Sequence, residues 1–192
     1  MNVCYKVKIK MILPIYTYGQ PALRKPTEDI TLEYEGLKEL IDNMFETMYN
    51  ASGVGLAAPQ VGLSIRLFVI DADVLSEDYP ECKGMKKAYI NPQITDHSQE
   101  TVTMEEGCLS LPGINENVSR PLWVDVTYVD VEGNTHEERL EGWAARVFQH
   151  EYDHLEGHVF TDRISPLRRQ FVKTKLTNIA KGKTPCRYKV KR

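Results

Sequence analysis

Two histidines four residues apart, with a glutamate directly after the first, lie in the segment QHEYDHLEG (149–157). Residues four apart on an α-helix are neighbours, about 5–6 Å apart, so His150 and His154 can direct their imidazoles at one metal ion. Glu151 then lies beside the ion as a base. This HExxH pattern also arises by chance on charged helices, and two nitrogens do not complete a metal site. The third ligand therefore decides the interpretation.

Downstream of the motif, no residue type supplies a convincing third ligand. The pattern HExxHxxGxxH needs a histidine where this chain has Phe160, although Gly157 matches. His158 is near enough in sequence, but Gly157 is expected to end the helix just before it. A later carboxylate ligand is disfavoured because the predicted terminal helix, 167–181, contains no acidic residue. Both common classes of HExxH zinc peptidase are therefore disfavoured.

Upstream, a soft metal donor lies in the segment EEGCLSLPGI, where Cys108 stands between Gly107 and Leu109. A single cysteine is more often a small buried apolar residue than a ligand. On this residue alone both interpretations remain open.

Three stretches taken together match the signature motifs of one family in content and order. GVGLAAPQ (53–60), EGCLS (106–110) and QHEYDH (149–154) resemble the three motifs of the peptide deformylases. The resemblance extends from GQPALRKP (19–26) to SPLRRQ (165–170), and the C-terminal helix resembles that of the bacterial, Gram-negative-type members. It implies hydrolysis of the N-formyl group from the N-terminal formyl-methionine of nascent polypeptides, with release of formate.

The same resemblance implies a Cys-His-His metal centre and a role for each of its residues. Cys108, His150 and His154 are the expected ligands of one divalent ion, and three protein ligands leave a position open for water. Such an ion lowers the pKa of its bound water from about 15.7 toward 7, and Glu151 then takes the proton and passes it to the departing amine. In this family the metal is usually Fe²⁺, with Zn²⁺ or Ni²⁺ in some preparations. We expect Fe²⁺ in the cell.

The resemblance also predicts the groups that contact the substrate. Gln60, through its side-chain amide, and Leu109, through its backbone N–H, are expected to stabilise the oxyanion. The backbone at Val54 and Gly55 is expected to pair with the substrate as an extended strand. The other predicted substrate-binding residues are Met104, Glu106, Gly107, Trp143, Arg146 and Val147.

Trp143 departs from the smaller aliphatic residue that is common at its position in the family. We interpret it as narrowing the pocket entrance for the methionine side chain. Plain core packing is an equally good explanation of this tryptophan.

The elements that must position these residues are predicted by hydrophobic periodicity. Apolar residues at helical spacing predict one helix in the segment 37–53, with its end near Gly53, and a second over 141–156. A third begins at Ser165-Pro166 and carries Leu167, Phe171, Leu176 and Ile179. Buried strands are predicted at 66–71 and 87–92, with a polar surface loop over 73–85, and a β-hairpin at 123–141. The expected class is α+β, with mixed or antiparallel sheets packed around the central HExxH-bearing helix.

Composition restricts the class of protein. The chain has 192 residues, 42% hydrophobic and 27% charged, which predicts one globular domain over 1–192. A net charge of −3 gives no general attraction to DNA or to a membrane. Four scattered cysteines without a CxxC pair and the lack of a signal sequence favour a reducing compartment, so we expect a cytoplasmic protein.

The two ends of the chain carry separate predictions. Residues 1–10 are interpreted as a dispensable extension ahead of a start at Met11, or as a genuine short arm. From Arg163 onward the chain contains many Lys and Arg residues, and it ends in a basic tail, 182–192. A solvated helix face is the ordinary explanation. We hypothesise that this segment docks on ribosomal RNA phosphate near the exit tunnel.

Two other function classes compete with a deformylase. One is a metal-stabilised binding module without catalysis, which the intact Glu151, Gln60 and Cys108 disfavour. The other is a zinc peptidase that cuts internal peptide bonds, which the missing third histidine and the EGCLS motif disfavour.

Overall fold

Three helices and nine strands form the part of the chain that the structure, a computed structural model, describes: residues 11–191. The helices are α1 (Leu37–Asn50), α2 (Gly142–Leu155) and α3 (Pro166–Ala180). The strands are β1 (Ile15–Tyr16), β2 (Gly55–Ala57), β3 (Leu67–Asp71), β4 (Lys86–His97), β5 (Thr101–Gly107), β6 (Asn115–Pro121), β7 (Trp123–Val129), β8 (Thr135–Glu141) and β9 (Val190–Lys191). This mixture confirms the α+β class. Residues 1–10, on which the alternative start depends, lie outside the described residues.

The central sheet has the strand order β2-β3-β4-β7-β8, and every neighbouring pair is antiparallel. β7 and β8 form the predicted hairpin, with Trp123 opposite Glu141. Two smaller sheets complete the fold: β5 pairs with β6 antiparallel, and β1 pairs with β9 parallel. Neither β6 nor β9 was predicted.

Helices cover both faces of the central sheet. Successive residues of a strand point to opposite faces, and every residue of β3 is buried. Phe68 and Ile70 belong to the core that contains α2, whereas Leu67 and Val69 belong to the core that contains α1. α2 is therefore a central helix, and eleven of its fourteen residues are buried.

The helix that bears HExxH ends at the predicted place. After Leu155 the chain turns at Gly157, which has a left-handed φ of +74°. A Cβ at this position would lie 2.8 Å from the Arg24 carbonyl oxygen, so only glycine fits the turn without strain.

α3 begins as predicted, but only the C-terminal part of its predicted apolar pattern is buried. The Ser165 side chain accepts a hydrogen bond from the Arg168 N–H, and Pro166 opens the helix. Leu167 and Phe171, the first apolar residues of the predicted pattern, are each 67% exposed. The helix packs through Leu176 and Ile179, as predicted, and through Val172, which the predicted pattern did not include, in the same core cluster as Val118 of β6.

The polar excursion between β3 and β4 is more ordered than a plain surface loop. It contains short 3₁₀ turns at Asp73–Leu75 and Pro80–Cys82, and Cys82 and Met85 are buried in the core of α2. Those two apolar side chains anchor an otherwise polar segment.

Candidate metal centre and substrate cavity

The three predicted ligands converge from two elements. Cys108 follows the end of β5, and His150 and His154 occupy successive turns of α2. One donor atom of each lies within 4.8 Å of the others, and the Cys108 Sγ is 3.3 Å from the His154 Nε2. His158 is exposed, its imidazole lies near Asp162, and it is not part of this group. The arrangement fits one small cation bound by one sulfur and two nitrogens.

Electrostatics favour the ligating form of the cysteine. Burial raises the pKa of the Cys108 thiol, but the imidazoles of His154 and His150 outweigh burial and lower it to about 5. The Ser110 N–H and the Gln60 amide also approach the sulfur, at 3.4 and 3.5 Å. A thiolate with two imidazoles suits a transition-metal ion far better than Mg²⁺ or Ca²⁺.

His150 is oriented by a buried carboxylate. Its Nδ1 lies 2.9 Å from the Glu106 Oε2, which leaves Nε2 to face the centre. Glu106 itself is held by Arg120, at 2.6 and 2.8 Å, and by Arg146 at 2.7 Å. Burial raises the pKa of the Glu106 carboxyl, but the hydrogen bonds from Arg120 and His150 lower it well below its usual range. Glu106 is thus a carboxylate that positions a ligand.

The same network ties the centre to the rest of α2. Arg120 forms a second ion pair, at 2.8 Å, with Asp153. Arg163 contacts the same carboxylate. Arg120 and Asp153 are both about 2% exposed. Because every charge in this group faces an opposite one, the desolvation cost of burying it is offset.

The Glu151 carboxylate, unlike that of Glu106, is not held by arginines of the described chain. It is 4% exposed, and its Oε2 has no hydrogen-bond partner among residues 11–191. Burial raises the pKa of this carboxyl to about 7, despite the opposing effect of the two ligand histidines. A group with such a pKa exchanges protons readily at neutral pH.

Two hydrogen-bond donors lie beside the ligands. The Gln60 Oε1 accepts from the Ala57 N–H at 2.7 Å, which turns its amide nitrogen toward Ser110 at 3.2 Å and toward Cys108. Gln60 is 1% exposed and so has a fixed orientation. The Leu109 N–H has no acceptor within the described chain. The Leu109 N–H is thus available to an oxygen atom at the site, whereas the Gln60 amide has to exchange one of its present acceptors for that atom.

A cavity of about 580 Å³ opens onto these groups. Its wall includes Cys108, Leu109, Gln60, His150 and Glu151. Among the predicted substrate-binding residues, those that line it are Val54, Gly55, Glu106, Gly107, Trp143, Arg146 and Val147. Met104, half-buried on β5, is not part of the lining.

Two of these lining residues are already engaged in the fold. The Arg146 guanidinium is 2% exposed and donates to Glu106, to the Val118 carbonyl and to the Val102 carbonyl. The Trp143 ring packs at 5.2 Å from the ring of Tyr79, so it belongs both to the cavity wall and to the core.

β2 offers a free edge to the cavity, because it is the outermost strand of the central sheet. The Asp71 N–H donates to the Val54 carbonyl at 2.9 Å, so these two residues form a hydrogen-bonded pair. Such pairs alternate with non-hydrogen-bonded pairs in an antiparallel ladder, and the next pair is Gly55 with Ile70. The N–H and C=O of Gly55 therefore point away from β3, whereas the Val54 carbonyl is already used.

The structure adds residues that sequence reasoning missed. Burial alternates along β6, and Arg120 occupies one of the buried positions. An arginine at an inward position of a strand could have indicated a buried ion pair from the sequence. Residues 185–188 also line the cavity, and no local pattern in the sequence indicated this.

Comparisons with known proteins show the family to which this chain belongs. The sequence profile of the family described as Polypeptide deformylase matches residues 12–170. The peptide deformylase of Flavobacterium psychrophilum is 50% identical over 188 residues, covering 94% of this chain and 97% of that protein. The crystal structure of peptide deformylase from Thermotoga maritima has a TM-score of 0.73 at 46% identity and covers 81% of this chain and 99% of that one. That of Ehrlichia chaffeensis, in complex with actinonin, has a TM-score of 0.80 at 37% identity, covering 91% and 99%.

The fold and the Cys-His-His group together define a metal-dependent hydrolase. More narrowly, the chain belongs to the polypeptide deformylase family, whose members remove the formyl group from the N-terminal formylmethionine of nascent peptides. No helix within residues 11–191 is both long and apolar enough to cross a membrane.

Proposed function

We propose that Cys108, His150 and His154 hold one divalent cation, and that the residues around it hydrolyse N-formylmethionyl peptides. The convergence of the three donor atoms within 4.8 Å, beside an unpartnered buried carboxylate, carries this proposal. When bound, such a cation supplies a water whose pKa is lowered toward about 7, which makes it a strong nucleophile at neutral pH.

Glu151 moves the proton in this proposal. Its carboxylate accepts a proton from the attacking water and delivers it to the amine nitrogen as the formyl C–N bond breaks. The raised pKa suits both steps, because a base near neutrality is also an effective acid. The Glu151 Oε2 accepts no hydrogen bond in the described chain, so no such bond has to break before this atom takes the proton of the water.

Gln60 and Leu109 stabilise the oxyanion that develops on the formyl oxygen. The Leu109 N–H is unpaired in the described chain, so it needs no rearrangement to donate to this oxygen. The Gln60 amide is held by Ala57, and one of its N–H groups exchanges its present acceptor, Ser110 or Cys108, for the oxyanion. Removal of one such donor costs about 10²–10³ in rate at comparable sites.

The peptide binds as an extended strand beside β2. The outward-facing N–H and C=O of Gly55 pair with the substrate backbone, and the apolar wall at Val147 and Trp143 receives the methionine side chain. Trp143 narrows this pocket. If Trp143→Leu leaves KM for formyl-Met and formyl-norleucine peptides unchanged, this role for Trp143 is wrong.

We infer that the cation in the cell is Fe²⁺. The thiolate and two imidazoles provide a soft donor set, which Fe²⁺, Zn²⁺ and Ni²⁺ all accept. Fe²⁺ and the Cys108 thiolate can both be oxidised, so the iron form is expected to lose activity in air. Equal activity of the iron and zinc forms, with an iron form insensitive to oxygen, would contradict this assignment.

We further propose that the protein works in the cytoplasm, docked on the ribosome through α3. Several cations of this helix are exposed, and Lys173 has no ion pair among residues 11–191. The exposed apolar pair Leu167 and Phe171 lies on the same helix. Cosedimentation with ribosomes should weaken in Lys173→Glu/Lys181→Glu and with rising salt, but not in the control Lys38→Glu on α1. Unchanged cosedimentation of the double variant would exclude this docking surface.

The first experiment is formate release from formyl-Met-Ala-Ser by protein purified anaerobically with iron. Release should be lost in Glu151→Ala while the metal content stays the same. No release from fully metallated wild-type protein would instead favour a metal-stabilised binding module.

A further inference from the structure

One wall of the substrate cavity comes from residues 185–191, which we name the C-terminal strap. Residues 185–188 of this strap line the cavity together with the ligand Cys108 and with Glu151. The strap lies beyond the matched family segment, residues 12–170. The three sequence motifs therefore do not include it.

Two contacts fasten the C-terminal half of the strap to the rest of the fold. The Tyr188 hydroxyl donates a 2.7 Å hydrogen bond to the carbonyl of Leu109, the residue directly after the ligand Cys108. Beyond it, β9 pairs in parallel with β1, and the Ile15 N–H donates to the Lys189 carbonyl at 2.9 Å. Both fastenings lie on the C-terminal side of Arg187, and the first begins at its neighbour Tyr188, so the backbone next to Arg187 is held at the cavity wall.

Arg187 is a cation without an ionic partner at this place. Two arginines line the cavity, and Arg146 is fully engaged with Glu106 and two backbone carbonyls. Arg187 forms no ion pair or hydrogen bond with any residue from 11 to 191, and it is exposed. An exposed guanidinium at the mouth of a cavity attracts anionic groups that enter there.

The reacting end of a peptide lies deep in this cavity, since His150 and Glu151 are 8% and 4% exposed. The residues after methionine must then leave through the exposed mouth. We propose that Arg187 is a specificity-determining residue, which favours formyl peptides that carry a negative charge in the residues after methionine. The inference rests on the proposed function and names its substrate preference.

The test compares three capped peptides that differ at one position: formyl-Met-Ala-Asp-amide, formyl-Met-Ala-Asn-amide and formyl-Met-Ala-Lys-amide. The wild type should show a kcat/KM about 2- to 5-fold higher for Asp than for Asn, and lower still for Lys, as expected for one solvent-exposed ion pair. The preference should shrink in 0.5 M salt. The amide cap removes the terminal carboxylate, so the side chain alone carries the charge.

Substitutions of Arg187 should change the ratio of the kcat/KM values for the Asp and Asn peptides. Arg187→Gln should bring the Asp to Asn ratio to about 1, and Arg187→Glu should invert it. Lys189→Gln, which removes an exposed cation of the same strap outside the cavity lining, should keep the wild-type ratio. An Asp to Asn ratio that is the same in the wild type and both Arg187 variants would overturn the assignment. Absence of formate from all three peptides would overturn the proposed function, and this preference with it.

Discussion

At the scale of single residues, Glu106 selects the nitrogen that His150 presents to the metal centre. Because Nδ1 is bonded to this carboxylate, Nε2 alone is free to ligate. Glu106 appeared in the sequence as a substrate-binding residue of the EGCLS motif. The structure shows it buried among Arg120, Arg146 and His150, where it orients a residue of the metal-binding group, and its contact with the substrate stays a prediction.

Replacing Glu106 with glutamine should weaken both metal binding and the fold. The substitution keeps the shape but leaves the buried Arg120 and Arg146 without their shared countercharge. We expect metal affinity to fall about 10- to 100-fold and the free energy of unfolding to fall by about 3–5 kcal/mol. Chelator competition and urea unfolding measure the two effects. Glu105→Gln, the exposed neighbour on the same strand, should change neither by a comparable amount.

The pH dependence of stability has a definite sign at Glu106. The folded protein lowers the pKa of this carboxyl, so the unfolded chain takes up the proton first as the pH falls. The stabilisation is therefore complete above the unfolded pKa, about 4.3, and is lost as the pH decreases below it. Urea unfolding of the metal-free proteins should show a steeper loss below pH 4 for the wild type than for Glu106→Gln. Equal slopes would contradict this role.

Gly55 is required by the side chain of Glu151. A Cβ at Gly55 would lie 2.3 Å from the Glu151 Oε1, so Gly55→Ala must displace the carboxylate. We expect kcat/KM to fall on the order of 10²-fold, with the metal content unchanged, because a displacement of about 1 Å has such an effect. In the comparison variant Gly53→Ala, the new methyl would meet only the flexible end of Leu109, and the loss should be smaller.

At the scale of elements, the sequence predicted the helices, strands and turns that depend on residues close to one another in the chain. α2, its stop at Gly157, the β7–β8 hairpin and the cap of α3 follow from periodicity and from turn residues within a few positions. The three motifs likewise contain the three residues of the metal-binding group, and they also contain Glu151 and Gln60, which lie beside it. β9 could not be predicted this way, because its partner β1 lies about 175 residues earlier and the pairing spans two residues on each side.

The strap depends on one hydrogen bond in its middle, from Tyr188 to Leu109. Tyr188→Phe removes the hydroxyl and keeps the ring, which packs on the core of α1. A typical bond of this kind contributes about 0.5–1.5 kcal/mol, so local opening of the strap should become on the order of 2- to 10-fold more frequent. Hydrogen exchange of the amides of residues 186–191 reports this opening. The amides of α1 serve as the internal reference, and equal exchange in both proteins would show that the bond does not hold the strap.

At the scale of the whole molecule, the pairing of β1 with β9 joins the two ends of the described chain beside the cavity. The metal ligands all precede residue 155, whereas this wall follows α3. The metal-binding group and this one wall of its cavity thus come from separate parts of the chain.

Removing residues 184–192 should weaken substrate binding but leave the chemical step largely unchanged. The metal centre stays intact, but the cavity loses a wall and the core of α1 loses Tyr188. We expect an unchanged metal content, a KM raised several-fold with kcat largely retained, and a Tm lower by about 5 °C. Steady-state kinetics and calorimetry check these values. A truncated protein with the wild-type KM would mean that the strap does not contact the substrate.

The position of the strap has a consequence for inhibitor selectivity. A small molecule that binds only the metal and the three motifs uses groups that lie within residues 12–170, the segment matched to the family. Such a compound would make no contact with the strap. A compound extended by an anionic group toward Arg187 would contact a part of the cavity outside that segment, and its selectivity would depend on the strap.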